Sequence, residues 1–315
     1  MSFLTAVALL AVITAVTCAL PGTFLVLRHQ SMLVDAMSHA VLPGIVIGAL
    51  ISGQTSSPIM IVIAAAMGMV VVLGAEKLRN TGLITGDANQ GLIFPALFAI
   101  GVILLSTVLK SVHICQDTVL TGDINLMALE PERLISMGFD FGPRTMWALL
   151  GVFALNAAYI WWAYRPLKLA TFDPLLARSM GFPVRAVEYG LMLLVSITVV
   201  VAFQTAGAIL VVALMVVPPA TALLLARSLP QMIALNMLFA VGAALLGFWV
   251  AFQFDLATSS MMAVVDGLVF VAVLVATRWW SRYQGYRALR RLDEEAGLEG
   301  EDYMTGASRL ASGRV

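Results

Sequence analysis

The stretch "DAMSHAVLPG", residues 35–44, sets a carboxylate and an imidazole four positions apart in an almost wholly apolar tract, then follows them with a Pro-Gly pair. Positions i and i+4 share one face of a helix, so Asp35 and His39 are expected to open into the same space. What that means depends on the solvent around the segment. Of the 315 residues 61% are hydrophobic and 11% charged, where an ordinary soluble domain carries about 25% charged residues. That deficit and a mean hydropathy of +0.96 place the chain in a bilayer.

Working outward from residues 35–44, apolar runs of spanning or near-spanning length occupy 3–27, 36–52, 58–78, 91–109, 145–164, 187–204, 207–228, 231–253 and 260–280. None alternates as a barrel strand would. Every backbone polar group must be satisfied within the hydrocarbon, so the runs are expected to be helices. The second run is interrupted by Pro43-Gly44 and the seventh by Pro218-Pro219. Eight or nine crossings are therefore expected. The first run has no basic residue before Arg28 and lacks the positive flank of a secretory signal, so it reads as a retained span.

Basic residues orient the chain. Arg278, Arg282, Arg287, Arg290 and Arg291 mark the tail as cytoplasmic, and Arg165, Lys168, Arg178 and Arg185 do the same for 165–188. Segment 110–144, with five acidic against three basic residues, falls outside. Nine crossings put the N-terminus outside. An inside N-terminus requires one run not to span, with 36–52 and 207–228 the suspects.

Several classes drop out. Zero net charge gives no purchase on nucleic acid, and Cys18 and Cys115 have no zinc or disulfide spacing. No GxxxxGK[ST] P-loop and no HExxH pair occurs.

Ionisable groups within a membrane segment mark, by default, a pathway or a relay. A carboxylate with an imidazole suits Mn, Fe or Zn, and two ligands make half a site. Pro43 cannot donate to the carbonyl of His39 and its ring crowds it, so Pro43-Gly44 is expected to break the helix beside the pair. Broken helices at membrane depth line cavities. Gly44 and Gly48 would admit a neighbouring helix closely. The competing reading keeps Asp35 at the water boundary near Arg28, with His39 a packing residue. Asp266, in "MMAVVDGLVF", is a further candidate for the path, or reaches water from a helix end. Glu188 reads as interfacial. His113 and Asp117 repeat the four-residue spacing in a polar loop, where a solvated face suffices.

In "TFDPLLARSMGFP", Asp173 and Pro174 read as the cap and first residue of a short helix, and Gly181 with Pro183 as its stop. Around Ala177 and Arg178 this helix would press on a cytosolic partner, or form an ordinary interfacial turn.

These segments resemble one family. "FLVLRHQSMLVDAMSHAVLPGIVIG" (24–48), "LKLATFDPLLARSMGFPVRAVEY" (167–189) and "GAILVVALMVVPPATALLLA" (207–226) are similar to the signature regions of bacterial manganese/zinc/iron ABC transporter permeases, and the likeness runs from about residue 3 to 281. It implies an all-α integral membrane protein with the permease fold shared with cobalamin and siderophore importers. Residues 1–281 would form the transmembrane permease domain and 282–315 a cytosolic tail. By the same likeness Asp35 and His39 are metal ligands of the permeation path. Asp173, Pro174, Ala177, Arg178 and Gly181 form the ATPase-coupling helix. The implied partners are a cytosolic ABC ATPase, a second permease chain, identical or paralogous, and an extracytoplasmic metal-binding protein. The setting would be the bacterial cytoplasmic membrane, and no cofactor would be held permanently. Two departures stand out: Ala257-Thr258-Ser259-Ser260 replaces a Pro-Thr-Gly-like turn, and Asp266 falls at an apolar position of the pattern.

The expected function is the permease subunit of an ATP-driven importer of divalent metal, Mn2+ first and Zn2+ or Fe2+ behind, moving its cargo by alternating access. The other class considered is a gradient-driven secondary carrier with Asp35, His39 and Asp266 as its relay.

Overall fold

The computed structural model describes residues 3–52, 58–81, 88–108, 124–129, 133–136, 139–280 and 283. His113 and Asp117 lie outside them, as does nearly all of 282–315. The chain divides between Phe270 and Val271 into two units, and the candidate sites belong to the first.

Four helices come first: α1 Phe3–Leu27, α2 Met32–Ser52, α3 Pro58–Asn80 and α4 Ala88–Val108. A short helix α5 (Ile124–Ala128) precedes an antiparallel hairpin, β1 Arg133–Ser136 with β2 Phe139–Pro143. Sequence reading placed only a loop there. Then follow α6 Arg144–Trp162, α7 Tyr164–Phe172, α8 Pro174–Ser179, α9 Val184–Ala206, α10 Ala208–Leu225 and α11 Leu229–Phe254, and α12 Thr258–Trp280.

Seven helices (α1, α3, α6, α9, α10, α11 and α12) are long and apolar enough to cross a membrane, and two shorter apolar helices, Met32–Gly48 and Gly91–Leu104, lie within α2 and α4. α2 and α4 are nonetheless each 21 residues long. At 1.5 Å per residue that is about 31 Å, the thickness of a hydrocarbon core.

The prolines do not break these helices. Pro43 lies inside α2, and Pro218 and Pro219 inside α10. The expected break after His39 is thus corrected to a continuous helix. Packing overrides the local cost: a Cβ on Gly101 of α4 would lie 2.8 Å from Pro43 Cδ, so the ring occupies a slot that only glycine leaves open. On α3, Ala64 Cα would lie 2.6 Å from a Cβ on Gly44, and Met60 Cα 2.9 Å from one on Gly48. The Gly44/Gly48 pair therefore admits α3, as small residues do between membrane helices.

α1 and α9 are buried over most of their length, whereas α6 and α11 turn most of theirs outward. Phe24, Leu10, Leu25, Met37 and Met215 are among the largest fully buried side chains. Polar side chains lock the register inside this apolar core. Asn236 of α11 donates to the Ala19 carbonyl (2.6 Å) and to Thr23 Oγ1 (2.8 Å) of α1. Asn156 of α6 donates to Thr198 Oγ1 of α9 at 2.8 Å. Ser196 donates to the Ala65 carbonyl at 2.9 Å and fills the space beside Gly68.

Candidate functional site

Asp35 and His39 occupy the first two turns of α2, with Asp35 Oδ1 3.6 Å from His39 Nε2. That is too long for a hydrogen bond. It suits one shared ion, because bonds of about 2.1 Å from each donor would meet at roughly 115–120°. The side chains are 42% and 31% exposed, so the pair borders open space instead of packing material. Ser38 turns away and donates to the Asp35 carbonyl at 2.7 Å.

The imidazole is held by α4. Phe94 stacks on it at 5.2 Å and 19°, and Phe98 meets it edge-on at 5.6 Å and 81°. Sequence reading missed both rings. Their four-residue spacing on a helix was the available signal. Pro43 has no N–H for the His39 carbonyl, which leaves that oxygen without its i+4 donor beside the pair.

Among the described residues no group of three or more His, Cys, Asp and Glu side chains converges as a metal site. Asp266 is accordingly not gathered with Asp35 and His39. It is 2% exposed on α12, and its Oδ2 has no hydrogen-bond partner among the described residues. A helix-end carboxylate reaching water is excluded by that burial.

The short helix stands where its caps predict. The Leu176 N–H donates to Asp173 Oδ1 at 2.9 Å, and Pro174 opens α8. At its end Gly181 has φ +81°, its N–H donates to the Arg178 carbonyl, and the Phe182 N–H donates to the Ala177 carbonyl. This is a Schellman stop, which needs the left-handed residue glycine supplies. Ala177 is fully buried and packs with Ala170 and Val184, while Arg178 is exposed. Phe172, Leu175, Leu176 and Met180 are apolar and exposed around the helix, Leu175 to 75%. Such a patch at a helix turn offers a contact surface.

Next to it lies a polar cluster that sequence reading did not assemble. Arg28, just past α1, pairs with Glu188 of α9 at 3.2 Å and donates through Nε to Thr171 Oγ1 of α7 at 3.1 Å. Burial lowers the Arg28 pKa from its usual range, and the Glu188 carboxylate opposes that shift. Tyr189 Oη donates to Glu76 Oε2 of α3 at 2.7 Å. Arg28 therefore has Glu188 as its ion-pair partner. The end of α1, the start of α9 and the end of α3 share one end of the bundle with α7. This places the start of α1 at the opposite end.

Residues 1–277 match the ABC 3 transport family. The manganese transport system membrane protein MntD of Bacillus subtilis is 38% identical over 265 residues, covering 84% of this chain and 88% of its own length. The zinc transport system membrane protein TroD of Treponema pallidum is 42% identical over 276 residues, or 85% and 72%. Among solved structures, PsaBC from Streptococcus pneumoniae in complex with Fab superposes with a TM-score of 0.71 at 29% identity, covering 87% of this chain and 91% of that one.

Proposed function

This chain belongs to the ABC 3 transport family, and from that membership we propose that it is the membrane permease subunit of an ATP-driven importer of divalent transition-metal ions. The observation that carries the reading is the Asp35–His39 pair, two ligand atoms 3.6 Å apart and open on one face of a membrane helix. Oxygen with imidazole suits Mn2+, Zn2+ and Fe2+, and the absence of a thiolate from the pair favours Mn2+. Relatives named for manganese and for zinc support that range. Nothing favours a gradient-driven carrier for a member of this family.

In this reading the pair is a transient way-station for cargo. A second permease chain supplies the matching pair and completes the coordination. An ATPase on a separate chain docks against α8, where Asp173 and Pro174 start the helix, Gly181 ends it, and Leu175, Leu176 and Met180 offer apolar contact. An extracytoplasmic binding protein delivers the ion, and ATP binding and hydrolysis drive alternating access.

The test is Mn2+ uptake by vesicles holding the whole transporter. Asp35→Ala and His39→Ala should each lower uptake at least tenfold while the ATPase still co-purifies. Wild-type uptake in either variant would remove the pair from the path.

A further inference from the structure

The end of α1 holds a cation that the metal site does not use. Arg28 has a side chain only 7% exposed, and its Nη2 is buried with no hydrogen-bond partner among the described residues. A buried ion pair is weak grounds for stability, since well-packed apolar groups often do as well. Its position suggests another reason for it.

The two partners of Arg28 flank the docking helix. Thr171 lies two residues before Asp173, the cap of α8, and Glu188 lies in the first two turns of α9, the helix that follows. The Thr171 hydroxyl donates to the Leu167 carbonyl at 2.7 Å, which leaves its oxygen to accept from Arg28. One planar guanidinium thus holds both sides of α8. Lysine has no fork with which to do so.

The other side of Arg28 leads to the ligands. Only His29, Gln30 and Ser31 separate it from α2, and they form a tight turn. His29 N–H donates to the Val26 carbonyl at 3.0 Å, Gln30 N–H to Leu25 at 2.9 Å and Leu33 N–H to Gln30 at 3.0 Å. His29 adopts φ +54° to close it. Asp35 follows seven residues after Arg28, about one turn into α2. A displacement at α8 therefore reaches the base of α2 with no slack segment between.

We propose that Arg28 is a positioning residue that couples the docking helix to the metal ligands, by clamping both flanks of α8 to the turn from which α2 begins. The inference rests on reading α8 as the ATPase contact and Asp35–His39 as the cargo site.

The experiment measures ATP hydrolysis and Mn2+ uptake together in vesicles containing the complete transporter. Arg28→Lys keeps the charge and loses the fork; Thr171→Val removes one arm and strands no charge; Thr171→Ser keeps the hydroxyl. We expect normal co-purification of the ATPase, hydrolysis within twofold of wild type, and Mn2+ binding without ATP within twofold. Ions moved per ATP should fall at least tenfold in Arg28→Lys and about threefold in Thr171→Val, and return in Thr171→Ser. Unchanged ions per ATP in Arg28→Lys and Thr171→Val overturns the inference alone. So does a parallel loss of uptake and hydrolysis in Thr171→Val at wild-type protein levels, which is what a structural role would give. A wild-type transporter without ATP-driven uptake would overturn the transport reading, and this one with it.

Discussion

Between Asp35 and His39 the deciding quantity is the 3.6 Å from Oδ1 to Nε2. A direct hydrogen bond would have spent both donors on each other. At this separation each keeps a lone pair for an ion, provided that the imidazole stays in place. Phe94 and Phe98 supply that constraint, one across its face and one at its edge. Ring pairs of this kind contribute about 0.5–1.5 kcal/mol, which corresponds to roughly two- to twelvefold in an equilibrium constant at 1.4 kcal/mol per decade. Phe94→Ala is therefore expected to weaken Mn2+ binding by the permease about two- to tenfold and leave its assembly intact, with Phe94→Tyr close to wild type. Equilibrium binding of radiolabelled Mn2+ checks this. An unchanged affinity in Phe94→Ala would mean that the rings only pack. The proximity of Asp35 and His39 was legible in the sequence because their spacing is local. The rings were not, since α4 meets His39 only through tertiary packing.

Among the elements, the short helix α8 was the most legible, because both its ends are set by residues at or immediately beside its termini. Asp173 supplies the acceptor, Pro174 the preset φ, and Gly181 the positive φ of the stop. The reading failed where a local rule met a distant partner. Pro43 costs a hydrogen bond wherever it stands in a helix, but Gly101 and Gly44 let α4 and α3 close around it, and α2 runs on. The Arg28 cluster was equally hidden, as Arg28 and Thr171 are 143 positions apart. For α8 the capping logic gives a test. A left-handed backbone costs an ordinary side chain about 1–2 kcal/mol, whereas Asn adopts it more readily. If α8 is the ATPase contact proposed above, Gly181→Val should fray its end and cut Mn2+ moved per ATP several-fold in vesicles, and Gly181→Asn should retain most of it. Equal ratios in the two variants, whether both high or both low, would show that the stop does not shape the ATPase contact.

At the scale of the whole molecule the coordination does not close among the described residues of one chain. Among the described residues no third His, Cys, Asp or Glu joins Asp35 and His39. A carboxylate with an imidazole leaves a divalent ion short of the four or more ligands it takes. A two-fold axis resolves this economically, because a closed symmetric dimer presents the same surface twice and brings two copies of one pair together. On the proposed reading, two half-sites would then make one site with two oxygens and two nitrogens from Asp35 and His39 of each chain. The stoichiometry follows directly: the assembled transporter should bind one Mn2+ per two permease chains, measured by native mass spectrometry or by metal analysis of the purified complex. A dimer with one wild-type chain and one Asp35→Ala chain should lose most of that ion, since three ligands remain where four were present. A paralogous second chain carrying its own pair gives the same ratio, and the masses of the two subunits tell it from an identical one. One ion per chain, or full occupancy in the mixed dimer, would mean that the pair finds its remaining ligands within its own chain or in water.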